Sequence, residues 1–98
     1  MGFAKVYKAA AVGVDMIPRI KNISALEDFT LKVLFDDGKQ VLYDVNSDIA
    51  QIEDFKQLKL LPGLWENFQI DESRTCVFWN DRIDLPSDTI YEYGVVAH

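Results

Sequence analysis

The stretch from Phe29 to Val45, FTLKVLFDDGKQVLYDV, constrains this chain more than any other, because two runs of alternating apolar and polar residues flank Asp36-Asp37-Gly38. Successive side chains of a strand point to opposite faces, so such a pattern around a Gly-containing turn predicts a β-hairpin with one face against a core. Its register can be argued. A two-residue turn at Asp37-Gly38 would pair Phe35 with Gln40 and Leu31 with Asp44, leaving polar groups on both faces. A three-residue loop with Gly38 in the left-handed bulge position pairs Phe35 with Lys39, Val33 with Val41 and Leu31 with Tyr43. One face is then almost wholly apolar, and this is the predicted register.

Around the hairpin, IPRIKNISAL carries Ile17, Ile20, Ile23 and Leu26, with Pro18 tolerable at the start of an edge strand. From Ser47 to Leu60 the period changes: Ile49, Ile52, Phe55 and Leu58 recur every three residues, which predicts a broken helix. Ser47 or Asp48 is its expected cap, and Glu53-Asp54 the start of a second turn. Pro62 and Gly63 then redirect the chain. FQIDESRTCVFW reads as a second hairpin, and PSDTIYEY as a short helix with Pro86 in its first turn. Asp84 is expected to cap that helix, and Asn80-Asp81 to form a tight turn after the strand ending at Trp79. The order implies an α+β fold: a small, mainly antiparallel sheet built from two hairpins, a helical middle segment and a short C-terminal helix. Residues 16–94 form the expected domain, residues 1–15 an extension that could add a strand, and residues 95–98 a tail.

Charge limits the partners. The formal net charge is -6 in 98 residues. Up to Lys21 the segment is +3, and the remaining six bases and fifteen acids give -9. An acidic body opposes non-specific attraction to nucleic acid or anionic lipid, which depends on clustered Lys and Arg. No apolar run reaches the roughly 18 to 20 residues of a membrane span. The opening MGFAKVYKAAAVGVD only faintly suggests a secretory signal, since Ala9 to Val14 is short for its apolar core; Met16 is an alternative start. With Cys76 as the one cysteine, an internal disulfide is impossible, and a reducing cytoplasm is the expected setting.

Catalytic constellations are weak. The sole histidine, His98, is poorly suited to activate a nucleophile in a rigid site. Cys76 is expected as an apolar filler in a strand. The acid pairs Asp36/Asp37, Glu53/Asp54 and Asp71/Glu72 all fall at predicted turns or helix starts, where solvated surface is the ordinary role, and none sits in a calcium-loop pattern. Trp79, Tyr91 and Tyr93 are expected in core and rim packing. No cofactor and no metal site is expected.

The segments IPRIKNI, LKVLFDDGKQVLYDV, FKQLK and FQIDESRTCVFWNDRIDLPSDTIY, in this order and spacing, resemble the small bacterial domain-of-unknown-function family 2442 over roughly Met16 to Gly94. The matching pattern is Asp37-Gly38 after the strand ending in Phe35, then Asp44, the Phe55/Leu58 helix, and Trp79 followed by Asp84, Pro86 and Tyr91. The resemblance assigns no catalytic residue. It implies a short free-standing protein, in some cases beside a second small protein in an arrangement suggestive of a toxin-antitoxin pair. Some members precede a helix-turn-helix domain, for which no room is expected after His98. The expected function is therefore a non-catalytic protein-interaction module, antitoxin-like or regulatory, with a protein partner or a second copy covering exposed strand edges. The alternative is a ligand-sensing or enzymatic domain using the acids and aromatics around Trp65, Trp79, Asp84 and Tyr91.

Overall fold

The structure, a computed structural model, describes residues 17–97; the extension at residues 1–15, with its faint signal-like pattern, lies outside them. Strands β1 (Ile20–Leu26), β2 (Thr30–Phe35) and β3 (Gln40–Asp44) pair antiparallel in chain order. Helix α1 (Asn46–Gln51), a 3-10 turn (Glu53–Lys56) and α2 (Gln57–Leu60) follow. A second antiparallel sheet holds β4 (Gln69–Ile70), β5 (Cys76–Asn80) and β6 (Ile83–Pro86). After α3 (Ser87–Tyr93), β7 (Val95–Val96) returns to pair with β3, giving the first sheet the order β1-β2-β3-β7. The fold is thus α+β, with the strands divided between two sheets.

The central hairpin has the register the alternation dictates. Leu31 lies opposite Tyr43 and Val33 opposite Val41, while the Phe35 amide donates to the Lys39 carbonyl at 2.9 Å. Leu31, Val33, Phe35, Val41 and Tyr43 are all buried, so one face of the sheet is core. In β1 a spacing of three would normally put Ile20 and Ile23 on opposite faces. A register shift between Ile20 and Asn22 makes Lys21 an extra residue, and the bulge turns both isoleucines inward.

The middle segment is broken as its period of three suggests, since three residues per turn is 3-10 rather than α geometry. The break falls at Ile52, whose extended backbone (φ -113, ψ 118) leaves its side chain 44% exposed, unlike buried Ile49, Phe55 and Leu58. Neither Ser47 nor Asp48 caps α1: the cap position is Val45, which has no side-chain acceptor, the first turn opens on Asn46, and Asp48 instead accepts from the Tyr43 hydroxyl at 2.8 Å. The Asn46 amide is satisfied by Asp44 Oδ1 at 2.9 Å.

The C-terminal helix also starts differently. Residues Ile83–Pro86 pair with β5, so Asp84 is drawn into a strand, opposite Phe78 and exposed, and cannot reach the helix amides. Pro86, at the cap position with extended backbone, precedes the first turn rather than lying inside it. The Ser87 amide donates to the Thr75 carbonyl and its hydroxyl to the Pro18 carbonyl, at 2.8 and 2.6 Å. These bonds, with the Ile20 amide on the Arg74 carbonyl at 2.7 Å, join the start of the first sheet to the second. Buried residues from both sheets and the helical segment form one continuous core.

Candidate functional site

The β2–β3 loop gathers a network of interacting polar side chains, Asp36, Asp37, Lys39, Arg74 and Tyr91. Gly38 adopts φ +93, and its amide donates to the Phe35 carbonyl at 2.9 Å. That closes the loop and leaves Asp36 and Asp37 projecting from it. Asp37 accepts from the Lys39 amide at 2.9 Å and from the Tyr91 hydroxyl at 2.6 Å. Tyr91 stands on α3 with its ring edge against buried Phe35, centroids 4.9 Å apart. The Lys39 ammonium lies 4.0 Å from the Tyr91 ring centre and donates to its carbonyl at 3.2 Å. Asp36 takes two parallel bonds of 2.8 Å from Arg74, whose guanidinium also reaches the Ile20 carbonyl at 3.2 Å. The loop is therefore tied to α3 on one side and to the β4–β5 turn on the other.

The electrostatics follow from these bonds. The Tyr91 hydroxyl, and after it the Lys39 amide, hold the Asp37 carboxyl below its usual range. The same bond, with some burial, pushes the Tyr91 hydroxyl up, so the shared proton stays on the phenol. Hydrogen bonding from Arg74 lowers the Asp36 carboxyl, and the Arg74 guanidinium is raised in return. The Asp36–Arg74 pair is two-fifths exposed on both sides, where water screens it and the geometry positions more than it stabilises.

The two indoles sit deeper. Trp65 and Trp79 stack with centroids 5.7 Å apart and planes 14° from parallel. Each has spent its one donor on main chain: Trp79 Nε1 on the Trp65 carbonyl at 3.0 Å, and Trp65 Nε1 on the Leu26 carbonyl at 2.9 Å. The Phe29 ring lies against Trp65, centroids 5.2 Å apart and planes tilted by 55°.

Of the residues singled out in sequence, the structure brings Asp37, Gly38 and Tyr91 together. Asp44 lies at the other end of β3, bonded to the Asn46 amide and side chain. Trp79 is buried, while Asp84 and Pro86 are exposed on β6, so the acid and the indole do not converge. Asn80 Oδ1 accepts from the Arg82 and Ile83 amides at 2.8 and 3.1 Å, which makes the tight turn. Tyr93 is 72% exposed, outside both core and rim. Cys76 opens β5 and is half-buried; burial, then Asp84 and Asp71, push its thiol up, which disfavours a nucleophilic thiolate. Burial also raises Asp71, but the Ser73 hydroxyl and the amides of Thr75, Cys76 and Arg74 outweigh it and its carboxyl ends lowered.

Sequence reasoning passed over Arg74, Lys39 and Ser87. Arg74 gave no local signal, being 38 residues from Asp36 and in the left-handed region at φ 62. Lys39 was readable as the partner of Phe35, but its Nζ bond to Tyr91 spans 52 residues. Among the described residues no three His, Cys, Asp or Glu side chains gather closely enough to hold a metal ion, and no helix is long and apolar enough to cross a membrane.

The model of the family described as Protein of unknown function (DUF2442) matches residues 20–95, from the first residue of β1 into β7. No curated protein and no solved structure matches the chain.

Proposed function

The chain belongs to the DUF2442 family of proteins of unknown function, and from that premise we propose that it is a non-catalytic protein-interaction module, the antitoxin-like or regulatory partner of a second small protein. The carrying observation is a contrast between two kinds of side chain. The groups able to do chemistry at the hairpin end are engaged with one another, Asp37 with Tyr91 and Asp36 with Arg74. Large apolar side chains meanwhile face water, among them Leu60 at 73%, Tyr93 at 72% and Val95 at 70%. Polar groups already paired inside the protein are poor candidates for substrate, whereas exposed apolar groups are what a protein partner covers.

Charge supports the choice of partner. Residues 17–97 hold fifteen acids and eight bases, a net -7. Complementary charge speeds encounter and limits wrong partners, so a basic protein fits better than nucleic acid or an anionic membrane. A lone cysteine suits a reducing compartment, and the cytoplasm is the proposed setting.

Co-expression with the product of an adjacent gene and purification at low salt tests the reading. A complex that survives gel filtration and weakens as salt is raised is expected. Failure of every neighbouring gene product to bind, with the chain folded by circular dichroism, would overturn it.

A further inference from the structure

The two outer edges of the four-stranded sheet are built differently. At the β1 edge Pro18 precedes the strand, Lys21 forms a bulge, and Arg19 and Lys21 add positive charge. These are the devices by which proteins keep other strands off an edge. The β7 edge carries no proline, bulge or lysine, and is blunted only by being two residues long. Its residues are Val95 and Val96, 70% and 48% exposed, and Tyr93 just before them is 72% exposed.

The hydrogen-bond pattern tells which groups are open. Val96 lies opposite Val41 and Val95 opposite Leu42, while the Ala97 amide donates to the Gln40 carbonyl at 2.7 Å. In an antiparallel pair the bonded positions alternate, so residues 95 and 97 face β3 and the N–H and C=O of Val96 point to the outer edge. Among the described residues no strand pairs with that edge. Near it the acids Asp88 and Glu92 on α3 and Asp44 at the end of β3 outnumber the bases Lys39, which lies over the Tyr91 ring, and Lys32, opposite the Leu42 that pairs with Val95.

We infer that the outer edge of β7 is where an extended, lysine- or arginine-bearing segment of another protein adds as a strand, with Val96 supplying the main-chain pairing and Tyr93 and Val95 the side-chain contact. The inference rests on the interaction reading above and names its place and partner chemistry. Strand addition takes affinity from main-chain bonds and selectivity from alternate side chains. Here a net -7 over residues 17–97 opposes a second copy and favours a basic segment.

Two synthetic peptides of equal length, one alternating valine with lysine and one valine with glutamate, are titrated into the full chain and followed by amide NMR and hydrogen exchange. The lysine peptide should bind saturably, protect the Val96 amide and weaken with salt, and the glutamate peptide should not. Val95→Lys, at a side chain that already faces water, should weaken the lysine peptide about tenfold or more through like charge. Val96→Pro, which removes the outward N–H and no bond to β3, should do the same while leaving the near-ultraviolet circular dichroism unchanged. Equal binding of both peptides, no binding to the folded chain, or indifference to both variants overturns the inference. So does a dimer in light scattering that Val96→Pro dissolves, which would give the edge to a second copy. A neighbouring gene product that binds wild type and Val95→Lys alike would sink this edge while leaving the interaction reading intact.

Discussion

The two turns at either end of β2 reach the same result by opposite means. The β2–β3 loop is a local solution: Gly38 supplies the positive φ, and Asp37 bonds the Lys39 amide two residues on. The β1–β2 turn, Glu27–Phe29, has no glycine, yet Asp28 and Phe29 sit at φ 62 and 58. A left-handed conformation costs a non-glycine residue roughly 1–2 kcal/mol, and a bulky phenylalanine is an outlier there. What holds it comes from elsewhere in the chain. Trp65 packs at a tilt against the Phe29 ring and donates to the Leu26 carbonyl, the Val45 amide donates to the Phe29 carbonyl at 2.9 Å, and Asn46 Nδ2 donates to the Asp28 carbonyl at 2.8 Å. One turn carries its own instructions, and the other is imposed by the fold around it.

The most damaging way to break that comparison is Trp65→Ala. The side chain is buried, stacks on Trp79, packs against the tilted Phe29 ring and donates to the Leu26 carbonyl, so its loss leaves a cavity and removes the support of a strained turn. A destabilisation of about 3–5 kcal/mol is expected, as for other large aromatic truncations, read from the denaturant midpoint. The near-ultraviolet circular dichroism of the indole pair should vanish with it, and exchange at the Val45 amide should rise more than at the Gly38 amide. Equal loosening of both turns would mean that the β1–β2 turn does not depend on tertiary support.

The same division explains how much of this fold could be read in advance. The central hairpin and its register were legible because alternation and a glycine turn both act within about seventeen residues. The break at Ile52 showed as a period of three, although not which apolar residue would be left outside. The bulge at Lys21 was hidden, since Ile20 and Ile23 share a face only through a register shift that needs β2 as reference. Strand β6 was missed because Asp84 and Pro86 look like a helix start until β5 pairs with them. Strand β7 was invisible, two valines having no pattern until β3 lies beside them. Of the candidate site, Asp37, Gly38 and Tyr91 could be named, but Arg74, which anchors Asp36 from 38 residues away, could not.

Two glycines sharpen the contrast at smaller scale. Gly94 has an ordinary φ, but a Cβ there would lie 2.7 Å from the Ile90 carbonyl oxygen and 2.9 Å from Val41. Gly94→Ala should therefore act through tertiary crowding, costing about 1–3 kcal/mol as overpacking does, with faster exchange at Ala97, whose amide holds β7 to β3. Gly38 has open space around it, so Gly38→Ala acts through its φ of +93 alone. About 1–2 kcal/mol is expected, with exchange changes confined to the hairpin end. Crossed patterns, a local effect at Gly94 or a distant one at Gly38, would break the assignment of these positions.

The smallest expected effect tests whether the local turn draws anything from its distant partner. The Asp37 carboxyl is lowered from 3.8 by the Tyr91 hydroxyl and the Lys39 amide, so the folded state binds that proton less tightly than the unfolded chain does. Its contribution is therefore fully present above the unfolded value and is lost as pH falls through the lowered folded one. Tyr91 runs the other way. Its hydroxyl is raised from 10.0, so its contribution is present below that value and disappears as pH rises through the raised one. Tyr91→Phe removes the alkaline limb and the largest part of the acid limb, leaving the part that the Lys39 amide supplies. Its stability curve should run below wild type across the neutral range and approach it at both extremes, measured by urea midpoints in steps from pH 2.5 to 11. Asp37→Asn should remove the acid limb along with the Lys39 amide bond to a carboxylate. Each difference should be small, since the pair lies near water. A Tyr91→Phe deficit that stays constant through both extremes would assign Tyr91 to packing on Phe35 alone, and the β2–β3 loop would then owe its shape wholly to its own residues.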